Sequence, residues 1–389
     1  MQATNCEELM SRTAGVIGGA GDSDPCLQVC YIETAAGQTR RERWIHGSLL
    51  TETLVEDRKI LLASPGQFAH PAIAPFRIDP LFVKRVWGYP DLRPWYDEIA
   101  KAGEPIGEVW LTGDKCVIAT GPHARQTLGD LFKEHPQALF GAAGSLSESP
   151  LLIKVIFAKE KLSVQVHPDD RMARKYGQPR GKTECWYVLA ADPGARVAVG
   201  LNPGVTLGKI REAIDAGTLE ESLNSLAVHA GEVILVDAGT VHAIWPGSIL
   251  LEAQQNSDVT YRMFDYGRPR ELHIDRSLEA IKLTTGGGPV KPQMLKDRTV
   301  LIDGEYFSLE RLRMDGGRRS RSLMRADEQE PRLAYLFAAA GSGWISGKGF
   351  EAVALPARGI VAVPAISPDF VVEGLAGLDL IRITAKTSL

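Results

Sequence analysis

The chain has 389 residues, 44% hydrophobic and 24% charged, the balance of an ordinary globular protein with room for two or three compact domains. A formal net charge of -4 gives no electrostatic case for nucleic acid or an anionic membrane as main partner, so a small-molecule substrate is expected. Five cysteines (Cys6, Cys26, Cys30, Cys116 and Cys185) are too scattered for a disulfide framework, and Glu7 and Glu8 stand where a secretory signal would be basic, which together point to a cytoplasmic protein.

Residues 1–75 mix small, polar and charged side chains without a sustained period and are expected to be a poorly ordered N-terminal extension. The alternative is a small accessory module built on 27–33 and 43–50. The Gly-rich run 15–21 lacks both a preceding apolar strand and a Lys-Ser/Thr ending, so it is not read as a phosphate loop. From Phe76 the texture changes to short apolar runs broken by Gly and Pro, the pattern of antiparallel β structure. Strands are expected at 152–157, 185–189, 196–199, 232–236, 249–254 and 260–265. The first of these sits in an apolar stretch too short to span a bilayer and interrupted by Lys154. Helices are expected at 206–216, capped by Thr206, and at 277–281. The run 284–289, Thr-Thr-Gly-Gly-Gly-Pro, cannot hold a core and reads as a linker. Beyond it, 290–389 carries further short strands at 333–338, 359–363 and 378–383 and contains no histidine, so a barrel there would lack ligands for a comparable metal site.

The densest chemical signal is Leu162 to Asp170, Leu-Ser-Val-Gln-Val-His-Pro-Asp-Asp. In an extended segment Ser163, Gln165 and His167 share one face while Leu162, Val164 and Val166 share the other. A solvated strand with an incidental histidine has the same pattern. In Gly181-Lys182-Thr183-Glu184-Cys185-Trp186-Tyr187 the alternation pairs Lys182 with Glu184, as a surface ion pair also would. Gly231, Gly239 and His242 match the G-x5-P-x-G-x2-H turn of cupin barrels, with Asp237 where proline is usual. Gln165, His167, Glu184 and His242, from three separate strands, form a neutral-plus-anionic ligand set for a divalent ion. His46, His70, His123, His135, His229 and His273 lack such neighbours, and solvated or core roles are expected for them.

These elements resemble the type I mannose-6-phosphate isomerases of the cupin superfamily. The resemblance rests on Lys84-Arg85-Val86-Trp87-Gly88, Ile106-Gly107-Glu108-Val109-Trp110, the segments above, Ala238 to Ile244, Glu252 to Asp258, Thr260 to Asp265 and Leu272-His273-Ile274-Asp275. It covers about 80–285 and, more loosely, the remainder, leaving the first 75 or so residues uncovered. It implies a mainly β fold of cupin (RmlC-like jelly-roll) barrels with a few helices. The catalytic domain would span 76–285 with a helical insertion and hold the metal site. A cupin-like domain over 290–389 would have no metal ligands. The implied ligands are His167, Glu184 and His242, with Gln165 as a further one. The implied ion is one Zn²⁺ per chain, other divalent metals also being suited.

The resemblance further implies Arg262 as an active-site residue and Ser163, Lys182 and Arg268 as binders of the phosphate of a small-molecule sugar phosphate, Arg270 being an equal candidate to Arg268. The implied reaction converts mannose 6-phosphate to fructose 6-phosphate and back through a metal-stabilised cis-enediolate. That reaction needs a base reaching both carbons from one face. Glu252 is chosen, ahead of Lys182 and His242, with Gln254 on the same strand face binding hydroxyls. The alternative is that Glu252 only orients a metal ligand. No nucleic-acid or membrane partner is expected, and the chain is read as a monomer or weak homodimer. The rival functions are a noncatalytic sugar-binding cupin and an Fe²⁺ cupin oxidoreductase.

Overall fold

The computed structural model describes the backbone of residues 27–33, 39–45, 48–53 and 318–320, and residues 73–101, 104–141, 146–314, 332–375 and 377–386 in full. The chain divides into two units, Met1–Phe68 and Ala69–Leu389. In the first, strands Leu27–Glu33, Thr39–Ile45 and Ser48–Thr53 pair antiparallel in chain order. The accessory-module alternative falls on these strands, and the rest of what was expected of residues 1–72 lies outside the described residues.

Among the described residues the second unit holds four sheets. A five-stranded sheet runs in the order Leu223–Ala227, Arg196–Leu201, His242–Ile244, Val164–Val166, Tyr261–Phe264. A seven-stranded sheet runs Gly288–Val290, Val233–Val236, Glu184–Ala191, Ser248–Gln255, Leu151–Ala158, Ile106–Trp110, Leu81–Tyr89. Between these two sheets lies an apolar core that includes Ile156, Trp186, Val188, Val197, Val199, Ile244 and Leu250. The C-terminal half has a seven-stranded sheet centred on Phe307–Met314, Leu378–Ala385 and Ala334–Ala340 and a four-stranded sheet centred on Phe370–Gly374 and Gly343–Gly347. Leu312, Leu336, Val361 and Leu380 of the former pack on Ile345, Leu355, Phe370 and Val372 of the latter.

Alternation explains why Leu151–Ala158 is buried along its whole length. Ile153, Val155 and Phe157 belong to a core shared with Phe307, Leu309, Tyr335, Phe337, Ile381 and Ile383, so the two seven-stranded sheets stack back to back. Lys154 and Ile156 point the other way, into the first half. The five-stranded sheet is likewise covered on its outer face, where Val164, Val166, Ala243 and Met263 meet Met172, Ile210 and Ala280 of flanking helices. The polar alternates Ser163, Gln165 and His167 therefore face inward, opposite to a solvated strand.

The expected strands are all present, with ends shifted by at most two residues. Helix Leu207–Ala216 starts as expected, Thr206 accepting from the Lys209 amide at 3.3 Å, and ends on Gly217 at φ 72°. The second helix begins earlier, at Ile274–Ala280. The insertion consists of Leu128–Glu134 and Pro136–Phe140, between the strands Ile106–Trp110 and Leu151–Ala158. Two segments cross the expected boundaries. Phe76–Ile78 pairs with Ile360–Val363 in the C-terminal sheet, and Gly288–Val290, which takes in the last two residues of the expected linker and the first of the expected C-terminal domain, pairs with Val233–Val236. That pairing puts Pro289 on a sheet edge, where its missing donor is tolerated. Among the described residues no helix is long and apolar enough to cross a membrane.

Candidate metal centre and substrate cavity

Inside the first half, His167, Glu184 and His242 are fully buried, and their ligand atoms all lie within 4.8 Å of one another. Each imidazole is fixed by its Nδ1, which donates to a backbone carbonyl, Val259 O at 2.9 Å for His167 and Thr240 O at 2.9 Å for His242. That tautomer leaves both Nε2 atoms as acceptors. They face the Glu184 carboxylate at 3.5 Å each, and Glu184 Oε1 has no hydrogen-bond donor. Burial, reinforced by Lys182, holds His167 well below the ordinary histidine range, and burial brings His242 down to about 4. Two histidine Nε2 atoms and a carboxylate thus converge in a buried cradle that the Lys182 ammonium compensates from one side only and whose Glu184 Oε1 has no donor, a donor set that fits the implied divalent metal. The Gln165 side chain borders the same cradle, its Nε2 lying 3.2 Å from His242 Nε2, so a half-turn of the amide would present its oxygen there instead.

Beside this centre lies a cavity of about 460 Å³. Gln165 and Lys182 belong to both, each lining the cavity and touching a ligand. Lys182 Nζ is 2.6 Å from Glu184 Oε2 and 3.0 Å from His167 Nε2. Six cations line the cavity (Lys84, Arg85, Lys154, Lys182, Arg262 and Arg270) against three carboxylates (Glu108, Glu252 and Asp258). The surplus suits an anionic ligand.

Glu252 is on the cavity wall and 2% exposed. Its Oε2 accepts from Trp186 Nε1 at 3.1 Å and its Oε1 lies 3.0 Å from Lys154 Nζ. It bonds neither histidine, whose Nδ1 atoms are taken by carbonyls, which argues against a ligand-orienting role on the imidazoles. Lys154 also stands 3.5 Å from Glu108, which in turn accepts from Arg85 and from Trp110 Nε1, both at 2.8 Å. Burial alone would lower the Lys154 ammonium, but the carboxylates of Glu108, Glu252 and Glu184 more than offset it and raise the group above the usual range. Burial likewise opposes the Glu108 charge, yet Lys154 and Arg85 bring it down to about 2.

Ser163 and Arg262 line the cavity as expected. Arg262 donates through one Nη to Glu271 O at 2.8 Å, leaving its buried Nε without an acceptor. Arg268 does not line the cavity. Its guanidinium is held by Lys161 O at 2.8 Å and Glu160 at 3.1 Å, while Arg270, locked on Asp265 by two bonds of 2.6 Å, takes the cavity position. Gln254 is also displaced from its expected role, since it is fully buried and donates to Ser257 O and Gln255 O. Lys154, Glu108 and Arg85 had no assigned role in the sequence reading. Lys154 carried a usable signal, a cation in the middle of an eight-residue apolar run that has to be buried on both faces.

Residues 76–193 match the family described as Phosphomannose isomerase type I, catalytic domain. The chain is 35% identical over 259 residues to a mannose-6-phosphate isomerase of Streptococcus mutans, covering 61% of this chain and 80% of that protein. It is 35% identical over 257 residues to one of Bacillus subtilis, covering 62% and 80%. A crystal structure of mannose 6-phosphate isomerase from Bacillus subtilis superposes with a TM-score of 0.70 at 29% identity, covering 80% of this chain and 99% of that one. The mainly β architecture agrees with that likeness.

Proposed function

Because this chain belongs to the type I mannose-6-phosphate isomerase family, we propose that it is an aldose–ketose isomerase interconverting mannose 6-phosphate and fructose 6-phosphate in the cavity beside His167, Glu184 and His242. The observation that carries the reading is the junction of two features: a buried set of acceptors fit for a divalent ion, and a cavity where cations outnumber carboxylates. Held by His167, Glu184 and His242 with Gln165, a divalent ion, Zn²⁺ being well suited to these N and O donors, supplies Lewis acidity for negative charge on the sugar oxygens.

The chain's own residues do the rest. Moving the carbonyl from C1 to C2 requires a proton to leave C2 and one to arrive at C1, while the O2 hydroxyl gives up its proton and O1 takes one up. Glu252 carries that proton, because it is the carboxylate on the cavity wall nearest Lys182 and Lys154, which keep it in place and compensate its charge. Arg262, permanently charged and with an Nε free of protein acceptors, supports the developing oxyanion. Ser163 and Arg270 bind the phosphate. Lys182 sits closer to the ligands than a phosphate-only role requires, and it joins the base to the metal centre. The substrate is a small-molecule sugar phosphate.

The reading is tested by following fructose 6-phosphate formation from mannose 6-phosphate with the purified full-length chain, with unphosphorylated mannose in parallel. Turnover of the phosphate ester with little or none of mannose is the expected result. Tight binding of the ester with no turnover would favour the noncatalytic sugar-binding alternative.

A further inference from the structure

Among the described residues the C-terminal half contributes none to the metal centre or the cavity lining, yet one of its side chains reaches the loops that carry the ligands. Tyr306 lies in the turn between strands Thr299–Asp303 and Phe307–Met314. The turn is tied to the C-terminal sheet, the Tyr306 carbonyl accepting from the Lys386 amide at 2.9 Å and the Gly304 amide donating to Phe307 O at 3.0 Å. The Tyr306 hydroxyl donates to Asp170 Oδ2 at 3.0 Å.

The other oxygen of Asp170 is the meeting point of the first half's loops. Oδ1 accepts from the Gly181 amide at 2.7 Å and from Gln255 Nε2 at 3.1 Å. Asp170 stands three residues after His167, and Gly181 three residues before Glu184. The same two segments are joined again by the Lys182 amide on Pro168 O at 3.0 Å. Gln255 fastens the second of them through the Thr183 amide on its Oε1 at 2.9 Å. The approach is so close that a Cβ on Gly181 would stand 2.6 Å from the Pro168 carbonyl oxygen. The third ligand loop is attached to both, the Gly239 amide donating to His167 O at 2.9 Å and the Ala238 amide to Thr183 Oγ1 at 3.2 Å.

We propose that Asp170 and Tyr306 are positioning residues through which the C-terminal half sets the distance between the His167 and Glu184 segments, and thereby the affinity of the metal centre. A carboxylate whose two oxygens serve two halves of the fold transmits a displacement of the Tyr306 turn directly to the gap between the two ligand segments. The link acts on ligand geometry, so its loss weakens metal binding beyond any loss of stability. It rests on the metal-centre reading above.

The experiment is a Zn²⁺ titration of the metal-free full-length protein in competition with a chromophoric chelator, with the thermal midpoint of each metal-free variant measured alongside. Tyr306→Phe is expected to weaken Zn²⁺ binding about tenfold and Asp170→Asn about 10- to 100-fold. The double variant is expected to bind no more weakly than Asp170→Asn alone, because Tyr306 acts through Asp170. Asp303→Asn, which removes an exposed ion pair with Lys386 at the same turn, is expected to leave affinity unchanged. Wild-type affinity in Tyr306→Phe, whatever its thermal midpoint, overturns the link, as does full additivity in the double variant. Should Asp170→Asn fail to fold, the Tyr306→Phe comparison alone decides. A wild-type chain that takes up no Zn²⁺ overturns the metal-centre reading and the link with it, a result distinct from uptake that Tyr306→Phe leaves intact.

Discussion

The two halves of Ala69–Leu389 use the same device, alternate strand residues turned into the space between two sheets, and arrive at opposite chemistry. In the first half, Lys154, Glu184 and Glu252 point inward from neighbouring strands toward His167 and His242, and their charges meet at a cavity with cations in surplus. In the second, the same parity brings Glu310 and Arg382 inward beyond Leu312 and Leu380. There the Glu310 carboxylate is taken up by Arg382 Nε at 2.7 Å and Arg298 Nε at 2.8 Å. Charges that neutralise one another within a sheet hold structure. Acceptors brought face to face, as in His167, Glu184 and His242, leave Glu184 Oε1 without a donor even with Lys182 beside them, and so favour a bound cation.

The sharpest way to break this contrast is to remove the acceptor demand. Glu184→Gln is expected to abolish Zn²⁺ uptake and lower turnover by about 10³-fold or more, measured by chelator competition and a coupled assay. Next in size is Glu252→Gln, for which kcat should fall by about 10²- to 10⁴-fold while Zn²⁺ uptake stays near wild type. Loss of both together would make Glu252 a support of the metal centre rather than the base.

A smaller effect separates the halves by pH. His242 has a folded pKa of about 4 against an ordinary 6.5, and that of His167 is also depressed. Above pH 6.5 these groups are neutral in both states and contribute no slope. As pH falls from 6.5 toward 4 the unfolded chain binds protons that the fold refuses, so stability of the metal-free protein declines across that window. Denaturant unfolding at pH 7.5 and pH 5 should show this decline, and His242→Gln should make it shallower. The C-terminal half, with no histidine beyond residue 289, contributes no histidine to it. The smallest effect on catalysis is expected from Leu380→Ala. It opens a cavity in the C-terminal core and costs about 2–5 kcal/mol of stability, with kcat per folded molecule unchanged.

What the sequence disclosed follows from which forces are local. Strand alternation placed Ser163, Gln165 and His167 on one face, and the Gly231 to His242 turn marked a histidine at a strand's start. Both hold because they depend on the backbone of a single segment. The direction of that face was not local. Val164 and Val166 are buried outward only because helices cover the five-stranded sheet. Arg268 and Arg270, two residues apart, are indistinguishable by spacing; Asp265 locks Arg270 in the cavity wall, while Lys161 O and Glu160 draw Arg268 away from it. Gln254 shares the parity of Glu252 and still misses the cavity, because the carbonyls at Gln255 and Ser257 capture its amide. The Asp237 that stands in place of proline has a physical equivalent. Its Oδ1 accepts from Thr240 Oγ1 at 2.6 Å and its Oδ2 from the Gly286 amide at 3.1 Å, so side-chain bonds restrain the turn where a ring would have done so.

The central claim is that isomerisation depends on a divalent ion held by His167, Glu184 and His242. It is met most directly by measuring conversion of mannose 6-phosphate to fructose 6-phosphate before chelation, after it, and after Zn²⁺ is added back, in the wild type and in Glu184→Gln. The account predicts turnover that disappears on chelation and returns with Zn²⁺ in the wild type alone. Undiminished turnover in the fully chelated wild type, or restoration by Zn²⁺ of wild-type turnover in Glu184→Gln, would contradict it.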